Sequence, residues 1–167
     1  MELTSIDYAY LIQYAAQKRH HTTLNKTQIN KILFYVYGAY LADTGEKLFN
    51  DDTPKAWVFG PVFPRVYKRV DFNKVVKSFS EDMVDAFNSN KKVLNLIASV
   101  VDKVYNKTAI SLVQWSHQDD SPWYKTVYIE DEEGNLLEQK PWSTRIEDDL
   151  IKDYFSNKSN RIFDEGN

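Results

Sequence analysis

Apolar residues recur at helical spacing along most of this chain, and polar residues fall where those helices should start and stop. In residues 4–18, Tyr8, Leu11, Ile12, Ala15 and Ala16 share one face, and Thr4 is placed to cap it. Lys18, Arg19, His20 and His21 follow at the end where the helix dipole favours cations. From Asn25 to Thr44 the pattern is stronger. Ile29, Ile32, Leu33, Val36, Tyr37, Tyr40 and Leu41 keep i, i+3, i+4, i+7 spacing, while Phe34 and Tyr35 lie off that face. A helix apolar almost all round belongs at the centre of a fold. Asn25 and Gln28 form a capping-box pair at its start, and Gly45 can take the positive φ that ends it.

Residues 55–59 read as a short strand, with Trp57 and Phe59 on one face. Gly60-Pro61 turns the chain, and Pro64 suits the first position of a short helix over residues 63–70. Ser80 caps a helix over 81–87. Residues 91–105 place Leu94, Ile97, Val101 and Val104 on one buried face, and Thr108 caps a further helix ending at 114 or 115. Residues 126–129 and 135–138 flank an acidic turn with Gly134, the spacing of a β-hairpin. Thr144 and Glu147 match a capping box for a last helix carrying Ile146, Leu150, Ile151 and Tyr154 on its core face. These elements predict a mainly α, α+β domain of about five to seven helices with a small antiparallel sheet or hairpin. The sheet takes in residues 55–59, and the hairpin around Tyr128 is a second candidate. Trp57, Leu33, Val36 and Ile97 are expected in the core. The domain is expected to span residues 1–156, with 157–167 as a frayed tail.

Composition narrows the class. The chain has 167 residues, 43% of them hydrophobic and 14% aromatic, which suits one packed domain rather than a disordered chain. Cysteine is absent, so disulfides, thiolate catalysis and Cys-ligated zinc are excluded, in keeping with a reducing cytoplasm. The N-terminus lacks the basic and apolar regions of a signal peptide, and no apolar run reaches membrane-spanning length. Net charge is −3 and unevenly spread: residues 1–117 hold 15 Lys+Arg against 11 Asp+Glu, and residues 118–167 hold 6 against 13. That balance argues against a general nucleic-acid footprint. The most basic neighbourhood, Arg65, Lys68, Arg69, Lys74 and Lys77, comes without a helix-turn-helix pattern.

Ser116, His117, Asp119 and Asp120 bring the residue types of a hydrolytic triad together. A triad needs its members aimed at one another, which near-consecutive residues rarely achieve, and no G-x-S-x-G elbow is present. His117 therefore reads as a structural residue at a helix end, with Ser121-Pro122 opening the next turn. Adjacent His20 and His21 point apart and make a poor metal pair. Catalytic residues, metal ligands and cofactors are not expected.

Two clusters carry a family resemblance. Lys31, Leu33, Tyr35, Gly38 and Leu41, then Thr44, Gly45, Leu48 and Phe49, then Ala56, Trp57, Gly60, Pro61, Val62, Pro64 and Tyr67 form the first. Leu112, Ser116, His117, Pro122 and Trp123 form the second, with Ser116 where the pattern has Thr. The chain resembles the SocA-like antitoxin family, or Panacea domain, over roughly residues 5–156. The resemblance implies an antitoxin that neutralises a protein toxin by direct binding, the toxin being encoded by the adjacent gene. A proteolytic adaptor and a phage or mobile-element protein inhibitor are the alternatives, and a hydrolase centred on His117 ranks below them. Lys31, Tyr35, Trp57, Gly60, Pro61, Pro64, His117, Pro122 and Trp123 are assigned to the fold. Phe63, Arg65, Tyr67 and Lys68 are assigned to the partner-binding surface, on the reasoning that a short helix after a tight turn presents them outward. The acidic hairpin from Glu130 to Glu133 is the next candidate surface.

Overall fold

A computed structural model describes residues 1–164. The architecture is the mainly helical α+β arrangement read from the sequence, with eight α-helices among the described residues. At its centre lies α2 (Lys26–Thr44), packed against helices on several sides and against a small sheet. Its start is the expected capping box: Asn25 Oδ1 accepts the Gln28 N–H and Gln28 Oε1 accepts the Asn25 N–H, each at 2.8 Å. It stops at Gly45, which has φ 75°. Leu33, Phe34, Tyr35, Val36 and Tyr37 are all buried, so no face of α2 meets water over this stretch. α1 (Ser5–His20) crosses it, capped by a reciprocal Thr4–Asp7 pair. α5 (Lys91–Val104) packs against both, burying Ile97, Val100, Val101 and Val104. His20 ends α1 against a carboxylate that the sequence did not place there: its Nε2 lies 2.6 Å from Asp102 on α5, and its ring stacks on Tyr105.

The sheet differs from the reading of the sequence. β1 is Lys55–Trp57, and the chain reverses through Val58 and Phe59 into β2, Gly60–Val62. Trp57 pairs with Gly60 in register, so Gly60-Pro61 belongs to a strand and the two residues before it make the turn. A third strand, β5 (Thr144–Arg145), pairs antiparallel with the other edge of β1. Thr144 is thus a strand residue and not a cap. α8 (Asp148–Ser156) starts after Glu147 with no side-chain cap, its first-turn Asp148 and Asp149 suiting the dipole instead. Between these elements come α3 (Pro64–Arg69), α4 (Glu81–Asn88), α6 (Ala109–Ser116) and α7 (Pro122–Val127). The acidic hairpin forms from β3 (Tyr128–Glu130) and β4 (Leu136–Gln139), with Thr126 and Val127 in α7 rather than in the strand. α7, a helix the sequence reading treated as a turn, raises the helix count above the expected range.

Trp57 is only half-buried, which corrects its assignment to the core; Leu33, Val36 and Ile97 are core residues as expected. The tail is also corrected. Residues 157–164 fold back onto α2 through a 3-10 turn, Lys158–Asn160, while 165–167 lie outside the described residues. Arg161 is 3% exposed and bridges two carboxylates. Its guanidinium meets Asp43 at 2.9 and 3.1 Å and Asp164 at 2.9 Å through Nε. The Tyr35 hydroxyl donates to Asp164 and accepts the Phe163 and Asp164 N–H groups at 3.1 and 3.2 Å. Phe163 fills the space between Tyr35 and Trp115. Near this seam α8 approaches α2 at Gly38, where an added Cβ would come within 2.1 Å of the Phe155 ring.

Removing one partner of a buried ion pair leaves the other charge uncompensated. Arg161→Ala should therefore destabilise the protein by about 3–5 kcal/mol, read as a lower urea midpoint at unchanged slope. An unchanged midpoint would mean that the terminal segment does not contribute to the fold.

Candidate functional site

The two motif clusters converge where the β1–β2 hairpin lies on α2. Asn30 and Lys31 are neighbours on α2 and both are buried. Asn30 Oδ1 accepts the Phe63 N–H at 3.0 Å, while its amide donates back to Lys26 O at 3.0 Å. Lys31 Nζ donates to Pro61 O at 3.0 Å. β2 and the residue that follows it, at the start of α3, are thereby tied to the central helix. Gly60 makes the close approach possible. Its φ is 107°, and a Cβ there would come within 2.4 Å of Ser116 Oγ and 2.8 Å of Lys31 Cε. A side chain at this position would be strained in the backbone and would press on Ser116 and Lys31.

The second cluster supports the hairpin from beneath. Ser121 caps α7, Pro122 takes its first position, and Trp123 Nε1 donates to Trp57 O at 2.7 Å. His117 stacks on Trp123 with ring centres 3.8 Å apart and planes 11° from parallel. Its backbone N–H caps α6 by donating to Val113 O, as expected of a helix-ending residue. His117 Nε2 is buried and has no hydrogen-bond partner. Burial, followed by the charge of Lys31, holds the imidazole pKa below its ordinary value. Ser116 Oγ donates to Val113 O at 2.8 Å, so it is not paired with His117 or with Lys31. The residue types of a triad are adjacent in sequence, but the Ser116 hydroxyl bonds a backbone carbonyl and the buried His117 Nε2 bonds nothing.

Above this support opens a cleft of about 500 Å³ between α2, the hairpin turn and the segment before β5. Trp57, Tyr67 and Trp142 wall it, Val58 and Phe59 stand at its rim, and Lys31 forms part of its floor. Trp57 meets Tyr67 edge-on at 4.9 Å, and Lys26 Nζ sits 4.2 Å from the Tyr67 ring centre. Phe59 is 70% exposed and Trp142 43%. Burial alone holds the Lys31 amine down to about 7 from 10.5.

Of the residues assigned to partner contact, Arg65, Tyr67 and Lys68 are exposed on α3, and Tyr67 is part of the cleft wall. Phe63 is not: it is fully buried, its ring between Tyr37 and Phe49, because it precedes Pro64 with its side chain turned into the core. Arg65 Nε bonds Asp51, whose carboxylate also holds the first turn of α1 through the Ser5 N–H and hydroxyl at 2.8 Å each. Arg65 thus serves the packing of α1 as well. Val58, Phe59, Lys26 and Trp142 were missed. No local signal marked the first two, since Val58 and Phe59 carry none of the Gly, Asn or Asp that hairpin turns favour.

The site is an aromatic-walled cleft over a buried lysine, built by a helix, a hairpin and a tryptophan support, and it defines a helical module with an exposed aromatic rim. The family profile described as Antitoxin SocA-like, Panacea domain, matches residues 29–124, and the chain belongs to that family. Antitoxin SocA of Caulobacter vibrioides (strain NA1000 / CB15N) is 27% identical over 110 residues, covering 60% of this chain and 58% of that protein. The chain thus matches little more than half the length of this curated relative. No solved structure matches the chain.

The Lys31 environment predicts a pH dependence. The unfolded chain keeps this amine protonated up to 10.5, whereas the folded chain releases the proton at about 7. Between those values the unfolded state binds more protons, so the Lys31 contribution to stability grows with pH and is lost as pH falls towards 7. Urea denaturation from pH 7 to 10 should show the wild-type protein gaining on Lys31→Met by up to about 1.4 kcal/mol per pH unit. Parallel curves would mean that Lys31 stays charged inside the fold.

Proposed function

We propose that this chain is an antitoxin-type protein-interaction module that neutralises a partner toxin by direct binding, the toxin being the product of the adjacent gene. Membership of the family supports an antitoxin role in general. The observation that carries direct binding is the gathering of Val58, Phe59, Tyr67 and Trp142, all exposed, around one cleft. Exposed apolar side chains scattered singly are ordinary, whereas a contiguous group marks an interaction surface. Aromatic residues are also the residues that dominate binding energy at interfaces.

On this reading Phe59, Tyr67 and Trp142 are the anchors, with Arg65 and Lys68 at the polar edge of the contact. Phe63 and the tryptophan support hold the surface in shape. A non-catalytic role suits the site, because Ser116 and Lys31 each bond a backbone carbonyl and are not poised as nucleophile and base. Among the described residues no helix is long and apolar enough to cross a membrane. A cytoplasmic site of action goes with a toxin made in the same cell.

Co-expression with the neighbouring gene product tests the reading through growth rescue and co-purification. Phe59→Ala and Tyr67→Ala should each weaken binding by about 1–2 kcal/mol or more, with the melting temperature nearly unchanged for the exposed Phe59. Full rescue and unchanged affinity in the double variant would remove this surface and pass the role to the acidic hairpin from Glu130 to Glu133.

A further inference from the structure

We infer that the cleft takes a segment of the partner protein in which a carboxylate lies next to an aromatic or large apolar side chain. The carboxylate reaches Lys31, and the apolar group lies against Phe59 and Trp142. This inference rests on the direct-binding reading above and adds the chemistry that the cleft selects.

The charge around the cleft points to the carboxylate. Lys26 and Lys31 are its charged lining residues, and no Asp or Glu lines it. Other cations of the chain are neutralised nearby: Arg65 by Asp51, Arg145 by Glu147, Lys47 by Asp148 and Arg19 by Asp102. Lys31 has one hydrogen bond, to a carbonyl, and no carboxylate partner among the described residues. An ammonium has three donors, so this amine keeps capacity to spare. Burial without a counter-charge also depresses its pKa. An arriving carboxylate supplies the missing partner, and a basic or neutral segment does not. Lys26, resting on the Tyr67 ring, adds positive potential at the edge.

The rim points to a protein rather than a small anion. Phe59 and Trp142 project where an enclosed metabolite would leave them wet, and a protein segment crossing the rim would cover them. The volume of about 500 Å³ suits a few side chains rather than a domain surface. Two lysines without a longer basic track do not suit a nucleic-acid strand.

The test is a double-mutant cycle by calorimetry between the full chain and the neighbouring gene product. The antitoxin side carries Lys31→Met or Lys31→Gln, the latter keeping a donor for Pro61 O. The partner side carries single Asp→Asn and Glu→Gln changes, plus a form with its C-terminal carboxyl amidated. Each variant is first checked for a native melting transition. Loss of Lys31 should weaken binding by about tenfold or more, and one partner carboxylate should lose as much against wild type but under about twofold against the Lys31 variant. Binding within twofold by a folded Lys31 variant overturns the inference. So does a partner in which no carboxylate change weakens binding to the wild-type chain, a result that does not depend on any Lys31 variant folding. In both cases the wild-type complex still forms and direct binding stands. Failure of the wild-type chains to associate removes both readings together.

Discussion

From Ile29 to Ala39 the central helix has no solvent face, so the polar side chains of this stretch must find partners inside the protein. Asn30 and Lys31 meet that demand with the backbone of β2 and the start of α3, and so fix where the hairpin lies. Gly60 follows from the same constraint, because the hairpin reaches these partners only where no Cβ intervenes. The cleft is the space left beside a hairpin held at that height. Burying an amine against a single carbonyl is costly for its charged form, and it leaves a titratable group facing an apolar opening.

The same rule orders the other end of α2. Tyr35 and Tyr37 bury their rings and hand their hydroxyls to Asp164 and Asp148, so the C-terminal segment and α8 are recruited as acceptors. Burial and the facing carboxylates push both phenol pKa values up. Arg161 then neutralises Asp164 and reaches Asp43 at the end of α2. A helix so rich in tyrosine needs distant parts of the chain to satisfy it, which ties residues beyond the matched family span into the core.

Local signals were legible in the sequence, and long-range ones were not. The Asn25–Gln28 box and the Gly45 stop are settled by neighbours and were readable as such. Thr144 and Glu147 spell the same box, yet the Ser143 and Ile146 N–H groups bond Ala56 and Pro54 carbonyls, and strand pairing prevailed over the local cap. The hairpin was legible only as its first half, because Val58 and Phe59 look like strand residues until the return strand is known. Phe63 was misplaced because its direction depends on Tyr37 and Phe49, distant in sequence. Residues 157–164 lie in the segment expected to fray, and the burial of Phe163 and Asp164 depends on Tyr35, more than a hundred residues away. Of the cleft, Trp57, Tyr67 and Lys31 stood out as motif residues, while Lys26 and Trp142 join them only through the fold.

Hydrogen exchange on the chain alone and with the neighbouring gene product bound addresses the docking face most directly. Added protection should centre on residues 57–67 and 141–144, with little change in α4 and α5. Protection confined to the β3–β4 hairpin, with the β1–β2 turn exchanging as in the free chain, would contradict a docking face built on Lys31 and its hairpin.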